Sequence, residues 1–189
     1  HGHEARIIPA KAVAPFRQGH KTDSNDALAV AEAARRPKIK DAPMKTVEQQ
    51  GLQAIHRSRE LLIQESTALS NHVRSLLMEF GIVIKRGFAS LLRAVPEILE
   101  DGENELPDLY RPTLHRMYTR LLELRKDIEA ITGEVERLAK AHPICSKLMA
   151  LEGIGPIGAL LLYATMGSGA AFRSGREFAA YLGLAPKQY

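Results

Sequence analysis

The run KTDSNDA, Lys21 to Ala27, holds the residues best suited to chemistry. Asp23 and Asp26 stand three apart at the mouth of an expected helix. That spacing puts both carboxylates on one face, with roughly 5–6 Å between their Cβ atoms. Two acids so close repel each other unless a cation lies between them. Mg²⁺ is the usual answer, a hard ion held by one or two carboxylates together with substrate phosphates. The pair would then be half of a metal-dependent phosphodiester site. A structural role fits the same residues. Asp, Ser and Asn are favoured helix N-caps, and acids in a first turn suit the helix dipole. Spacing alone leaves both readings open.

A second constellation lies in PICSKLMALEGIGPIGALLLYATMG. The pattern predicts a helix ending at Leu151, a tight turn at Gly153-Ile154-Gly155, and a second helix opened by Pro156 at its first position. This is the sequence form of a helix-hairpin-helix. Its glycines would let the backbone approach a phosphate. The free N–H groups of the second helix, with its dipole behind them, would hold that phosphate whatever the base. The alternative is a glycine-tight corner between packed helices. Lys21 and the cluster Arg35, Arg36, Lys38 and Lys40 are further candidates for a phosphate backbone, or a solvated helix end favoured by the dipole. Arg173 and Arg176 pose the same choice. Ser174, with Glu177 three residues on, reads as a capping box and not as a nucleophile.

These groups must be positioned by four kinds of segment. Ala5–Ile8 is expected to be a short strand, followed by a basic loop and an Ala-rich helix from Asp26 to Arg36 that Pro37 ends. Residues 46–80 carry a heptad seam of Leu52, Ile55, Arg59, Leu62, Ser66, Leu69, Val73, Leu76 and Phe80, stopped by Gly81. A shorter helix is expected near Lys85–Ala94. The stretch PEILEDGENELPD after it has six acids, no bases and two prolines, and reads as an exposed turn. Residues 112–141 give a fully apolar seam: Leu114, Met117, Leu121, Leu124, Ile128, Ile131, Val135 and Leu138. Two such helices joined by a compact connector most simply fold back as an antiparallel hairpin. The two seams could satisfy each other in a self-contained hairpin; with little core of its own, such a hairpin favours contact with a partner, as a dimer or tetramer arm.

Composition sets the outer limits. The 189 residues are 45% hydrophobic but only 5% aromatic, without Trp, so the core must be aliphatic. The single cysteine, Cys145, excludes an internal disulfide and a Cys-type zinc site, and fits a reducing cytosol. It reads as a small packing residue. No apolar run approaches a membrane span, and no signal peptide is visible. A net charge of +4 mildly favours an acidic partner. The opening HGHEARIIPA lacks an initiator Met and YLGLAPKQY stops just past a helix, so the chain is expected to be a piece of a longer protein.

KTDSNDA, the heptad helices, LEGIGPIGALLLYATMG and FRSGREFAAYLGLAPKQ, in that order, resemble the insertion-sequence transposases of the one-ten and eleven-eleven groups. The likeness covers nearly the whole chain; its specific parts are KTDSNDA and the block from GIG to YLGL. It implies a mainly α chain in three parts. Residues 1–45 would end a RuvC-like (ribonuclease-H-like) α/β domain of DEDD type. Residues 46–141 would form a long antiparallel coiled-coil hairpin for oligomerisation. Residues 142–189 would begin a helical C-terminal domain with a helix-hairpin-helix.

The resemblance also implies chemistry. Asp23 and Asp26 match the last two of four acids that bind a divalent metal such as Mg²⁺. The family's nucleophilic serine is expected beyond Tyr189. DNA, a structured guide RNA and further copies of the chain, as dimer or tetramer, are the implied partners, with no membrane. A bacterial cytoplasm, at the nucleoid, is the implied location. A reading of a different class is a non-catalytic module that binds nucleic acid and oligomerises.

Overall fold

The computed structural model describes residues 6–39 and 41–184. These residues are mainly helical and contain no strand. No described helix is long and apolar enough to cross a membrane. The chain divides into two compact units, His1–Val47 with Met166–Tyr189, and Glu48–Thr165.

In the first unit, α1 (Ala10–Val13) runs into a 3-10 turn (Ala14–Phe16), and α2 spans Asp23–Ala34. Ala5 of the expected strand lies outside the described residues, as does Lys40 of the basic cluster. Arg6 to Ile8 form no strand. Ala42 N donates a single bond to Ile7 O at 2.7 Å, and the Arg6 guanidinium grips Asp41 with two contacts of 2.9 Å. One backbone bond does not make a ladder.

Helix α2 starts three residues before the expected Asp26. Thr22, in extended backbone, is the N-cap: its Oγ1 accepts from Asn25 N at 3.3 Å, and its carbonyl accepts the first helical bond from Asp26 N. Ala29 and Ala33 of α2 are buried, and α2 packs against α1 and the 3-10 turn. Met166–Tyr189 contributes α8 (Gly175–Tyr181). Ser174 Oγ caps it by accepting from Glu177 N. The Glu177 carboxylate reaches back to Arg173 N at 2.8 Å, one residue earlier than in a standard capping box. Phe172 packs its ring against Phe178 and Tyr181. Residues 185–189 of the YLGLAPKQY block lie outside the described residues.

The second unit holds α3 (Val47–Glu79), α4 (Phe88–Glu100), α5 (Arg111–Ala141), α6 (Pro143–Met149) and α7 (Pro156–Met166). At 33 residues, α3 is about 50 Å long. It ends at Gly81, whose φ of +75° suits only glycine, with Ile82 N donating back to Leu77 O. Helices α3 and α5 run antiparallel. One core joins Val73 and Leu77 of α3 to Leu91, Leu92 and Val95 of α4 and Leu114 and Leu121 of α5. The other joins Leu52 of α3 to Val135 and Ala139 of α5, Cys145 of α6, and Ala159, Leu160 and Tyr163 of α7.

All eight expected seam positions of α5 are buried or half-buried. On α3 the buried row is Gln49, Leu52, His56, Ser66, Ser70, Val73 and Leu77. The nine expected positions, from Leu52 to Phe80, are likewise all buried or half-buried, and Gln49, His56, Ser70 and Leu77 are buried beside them. Ile55 and Leu69 still pack, each against one core. A helix with neighbours on two sides buries a wider stripe than a two-helix seam.

The acidic stretch is not simply a turn. Helix α4 runs through Pro96 to Glu100, and Leu106 plugs the core at 3% exposure. Arg111 of α5 donates to the terminal carbonyls of Ile98 and Leu99 and to Asn104 Oδ1, a cation where the helix dipole is negative. The six acids stay exposed.

Candidate metal and nucleic-acid site

The cap at Thr22 fixes where the two acids point. Asp23 is the first residue of α2 and Asp26 the fourth, so both lie in the first turn, with Asp23 exposed and Asp26 half-buried. Acidic residues in a first turn suit the positive end of the helix dipole. Arg17 Nη1 stands 3.8 Å from Asp26 Oδ1, so a cation already neighbours the pair. Among the described residues no three or more His, Cys, Asp or Glu side chains gather as a metal site. The pair fits a hard divalent ion in donor chemistry and in number it supplies part of a coordination shell.

Sequence reasoning missed Arg17. It lies in a loop nine residues before Asp26, and its only signal was the basic character of that loop. It also missed a cleft of about 410 Å³ next to the motif, lined by Phe16, Gln18, Asn25, Leu28, Glu32 and Arg36.

The basic candidates divide. Lys21 is exposed immediately before the cap, whereas Arg35 and Arg36 follow the other end of α2. Twelve helical residues, roughly 18 Å, separate them, so one phosphate cannot touch both groups. Arg36 is engaged locally: it pairs with Glu32, and its guanidinium lies 5.5 Å from the Phe16 ring centroid.

Gly153, Ile154 and Gly155 belong to the other compact unit. Gly153 has φ +85°, which a side chain would strain. Ile154 packs against the core beside α7, anchoring the corner. Gly155 accepts the first bond of α7, from Ala159 N at 2.9 Å. A Cβ at Gly155 would meet nothing within 4 Å, so packing within the chain does not demand glycine there. The His142 ring stacks on Tyr163 at 3.8 Å, and Tyr163 donates to Glu48 at 3.2 Å. Burial, and then Glu48, push the Tyr163 phenol above its ordinary pKa.

Two transposase family models match the chain. A DEDD-type IS110 transposase model matches residues 1–82 and so contains Asp23 and Asp26. The model described as "Transposase IS116/IS110/IS902 family" matches residues 145–189 and so contains the Gly153–Gly155 corner. Relatives align along the whole chain. A "probable family 20 transposase" of Pseudomonas aeruginosa is 37% identical over 189 residues, covering 100% of this chain and 56% of the relative.

The chain belongs to the IS116/IS110/IS902 transposase family.

Two further relatives show the same extent of similarity. The transposase for insertion sequence element IS1111A of Coxiella burnetii is 35% identical over 188 residues, covering 100% of this chain and 52% of its own length. The transposase for IS1328 of Yersinia enterocolitica is 37% identical over 194 residues, covering 100% and 55%. The chain spans about half the length of these curated relatives. No solved structure matches it. Within the IS116/IS110/IS902 family assignment, the motif with the paired acids and the glycine corner fall in separate matched regions.

Proposed function

We propose that this chain is the central part of a DNA transposase that cuts and rejoins the strands of an insertion sequence with a divalent metal and a serine nucleophile. The observation that carries the reading is the placement of Asp23 and Asp26 together in the first turn of α2, inside the region matched by the DEDD transposase model. Residues 1–45 then belong to a RuvC-like domain. Asp23 and Asp26 hold Mg²⁺ together with two further acids from elsewhere in the full protein. Held by these carboxylates, a divalent ion would supply polarisation of the scissile phosphate and charge stabilisation at the leaving oxygen. Of this chain's own groups, Thr22 fixes the helix start that carries both acids, and Arg17 neighbours the Asp26 carboxylate. The serine, in the domain that continues from residues 142–189, attacks phosphorus and divides strand exchange into two steps.

The antiparallel α3–α5 pair, over residues 46–141, acts as a coiled-coil arm that joins copies into a dimer or tetramer. The Gly153-Ile154-Gly155 corner works as a helix-hairpin-helix that holds a DNA phosphate at the start of α7, with Lys21, Arg35 and Arg36 as further backbone contacts. Sequence choice is delegated to a structured guide RNA. A chain poor in aromatic residues suits that division of labour, since backbone and shape contacts suffice.

Strand cleavage by the full-length protein on its element's ends tests the reading. Asp23→Ala and Asp26→Ala should each abolish Mg²⁺-dependent cleavage while leaving nucleic-acid binding. Cleavage that survives Asp26→Ala removes that residue from the site. A second reading, a non-catalytic module that binds nucleic acid and oligomerises, is favoured by the Arg17–Asp26 contact, which satisfies Asp26 without metal. It requires salt-sensitive binding that depends on the glycine corner and ignores Mg²⁺, with no cleavage in any full-length form.

A further inference from the structure

The N-cap of helix α4 is Gly87, which has no side chain to cap the helix start. The helix's leading N–H groups carry the positive end of a 13-residue helix dipole. Gly87 and Phe88, at that helix start, line a cleft of about 220 Å³ together with Ser66, Ser70, Asn71 and Arg74 of α3. No carboxylate lines that cleft. Ser70 is only 4% exposed, and its Oγ has no hydrogen-bond partner. Arg74 donates to Gly87 O at 2.5 Å and to Ser70 O at 3.5 Å, yet its Nε is buried and unpartnered. Among the described residues no acid pairs with Arg74.

An uncompensated guanidinium therefore sits beside an uncapped helix start, with a spare hydroxyl in the same cleft. Burying polar groups in this way is costly unless something accepts from them. Water offers two lone pairs and no charge. A tetrahedral oxyanion offers several acceptors and the missing negative charge, and 220 Å³ is room enough for a phosphate.

We propose that the cleft between α3 and the start of α4 binds a phosphate group through Ser70, Arg74 and the first N–H groups of α4. In the working recombinase that phosphate belongs to the backbone of the nucleic acid the protein handles, a choice of source that rests on the function proposed above. The arm then holds nucleic acid as well as joining copies.

Calorimetric titration of inorganic phosphate into the full-length protein, at constant ionic strength in chloride, tests the pocket. Saturable binding is expected. Ser70→Ala should weaken it about tenfold, by removing one bond to a charged acceptor. Asn71→Asp, on the exposed rim, should weaken it at least as much by like charge and leaves the α3 packing alone. Heat no different from that of chloride, or equal binding by both variants, overturns the site. Affinity for nucleic acid carrying the element's ends is then measured on the same variants. Parallel weakening supports a backbone phosphate; unchanged affinity overturns that source and leaves a free-phosphate pocket. Strand exchange that ignores Asp26→Ala would sink the recombinase reading without touching the phosphate titration.

Discussion

The Arg17 guanidinium lies 3.8 Å from the Asp26 carboxylate, in the position a divalent ion would contest. Both side chains are close to half exposed, so the pair is worth no more than a surface ion pair, about 0.2–1 kcal/mol. Arg17→Met in the full-length protein should therefore lower the Mg²⁺ concentration needed for cleavage about two- to fivefold. Cleavage that falls at saturating Mg²⁺ would instead give Arg17 a substrate phosphate as its partner. Asp26→Asn should cost more than the roughly 10–100-fold seen when residues behind metal ligands are changed.

Arg59 Nε donates to Thr132 Oγ1 at 2.8 Å, tying the middle of α3 to α5. The Arg59 side chain is only 15% exposed, so losing its acceptor leaves a charged donor short of a partner. Thr132→Val keeps the shape and removes the oxygen. A loss of about 1–3 kcal/mol is expected in urea unfolding. An unchanged midpoint would mean that the arm's register is held by its apolar cores alone.

His56 is buried in the α3 seam with Nε2 unpartnered, and burial, then the charge of Arg59, push its pKa down, with Glu60 opposing. The unfolded chain therefore binds this proton at a higher pH than the folded one. Stability is fully present above about pH 6.5, the ordinary histidine value, and drains away as pH falls through it toward the lowered folded pKa. Chemical unfolding between pH 5 and 8 should show that slope. His56→Gln should flatten it, and a slope unaffected by the change would assign it elsewhere.

Cys145 is fully buried and its thiol is pushed up in pKa by that burial. Thiol reagents should leave the native protein unlabelled over minutes at pH 7.5 and label it completely in denaturant. Because it is the only cysteine, the labelling rate reports opening of the core shared by α3, α5, α6 and α7. Fast native labelling would show that this end of the second unit opens independently.

The long helices were legible because their signal is repetitive. Every seam position of α5 was read correctly from its heptads. On α3 the expected positions also pack, but the reading missed His56 and Ser70, which the structure buries beside them. Polar residues inside a stripe are invisible to a hydrophobic count; only neighbours on two sides reveal them. Pro96 misled in the same way: it marks a helix end locally, but Val95, Ile98 and Leu99 gain enough by packing to carry α4 past it. At KTDSNDA, the Thr22–Asn25 cap was masked by the richer Asp-Ser-Asn run after it. The contact of Arg17 with Asp26 crosses a loop, and no periodicity encodes a loop's path.

The antiparallel pairing of α3 with α5 also sets an order of events. Leu77 and Leu114 share a core across the short α4 connection, while Leu52 and Ala139 share theirs across a loop a little more than twice as long. Closing the longer loop costs about 0.8 kcal/mol more in chain entropy. The arm is thus expected to zip shut from the α4 end, with the glycine corner before α7 ordering late. Pulse-labelled hydrogen exchange during refolding would show amides near Leu77 and Leu114 protected first; simultaneous protection at both ends would mean that the two cores form as one.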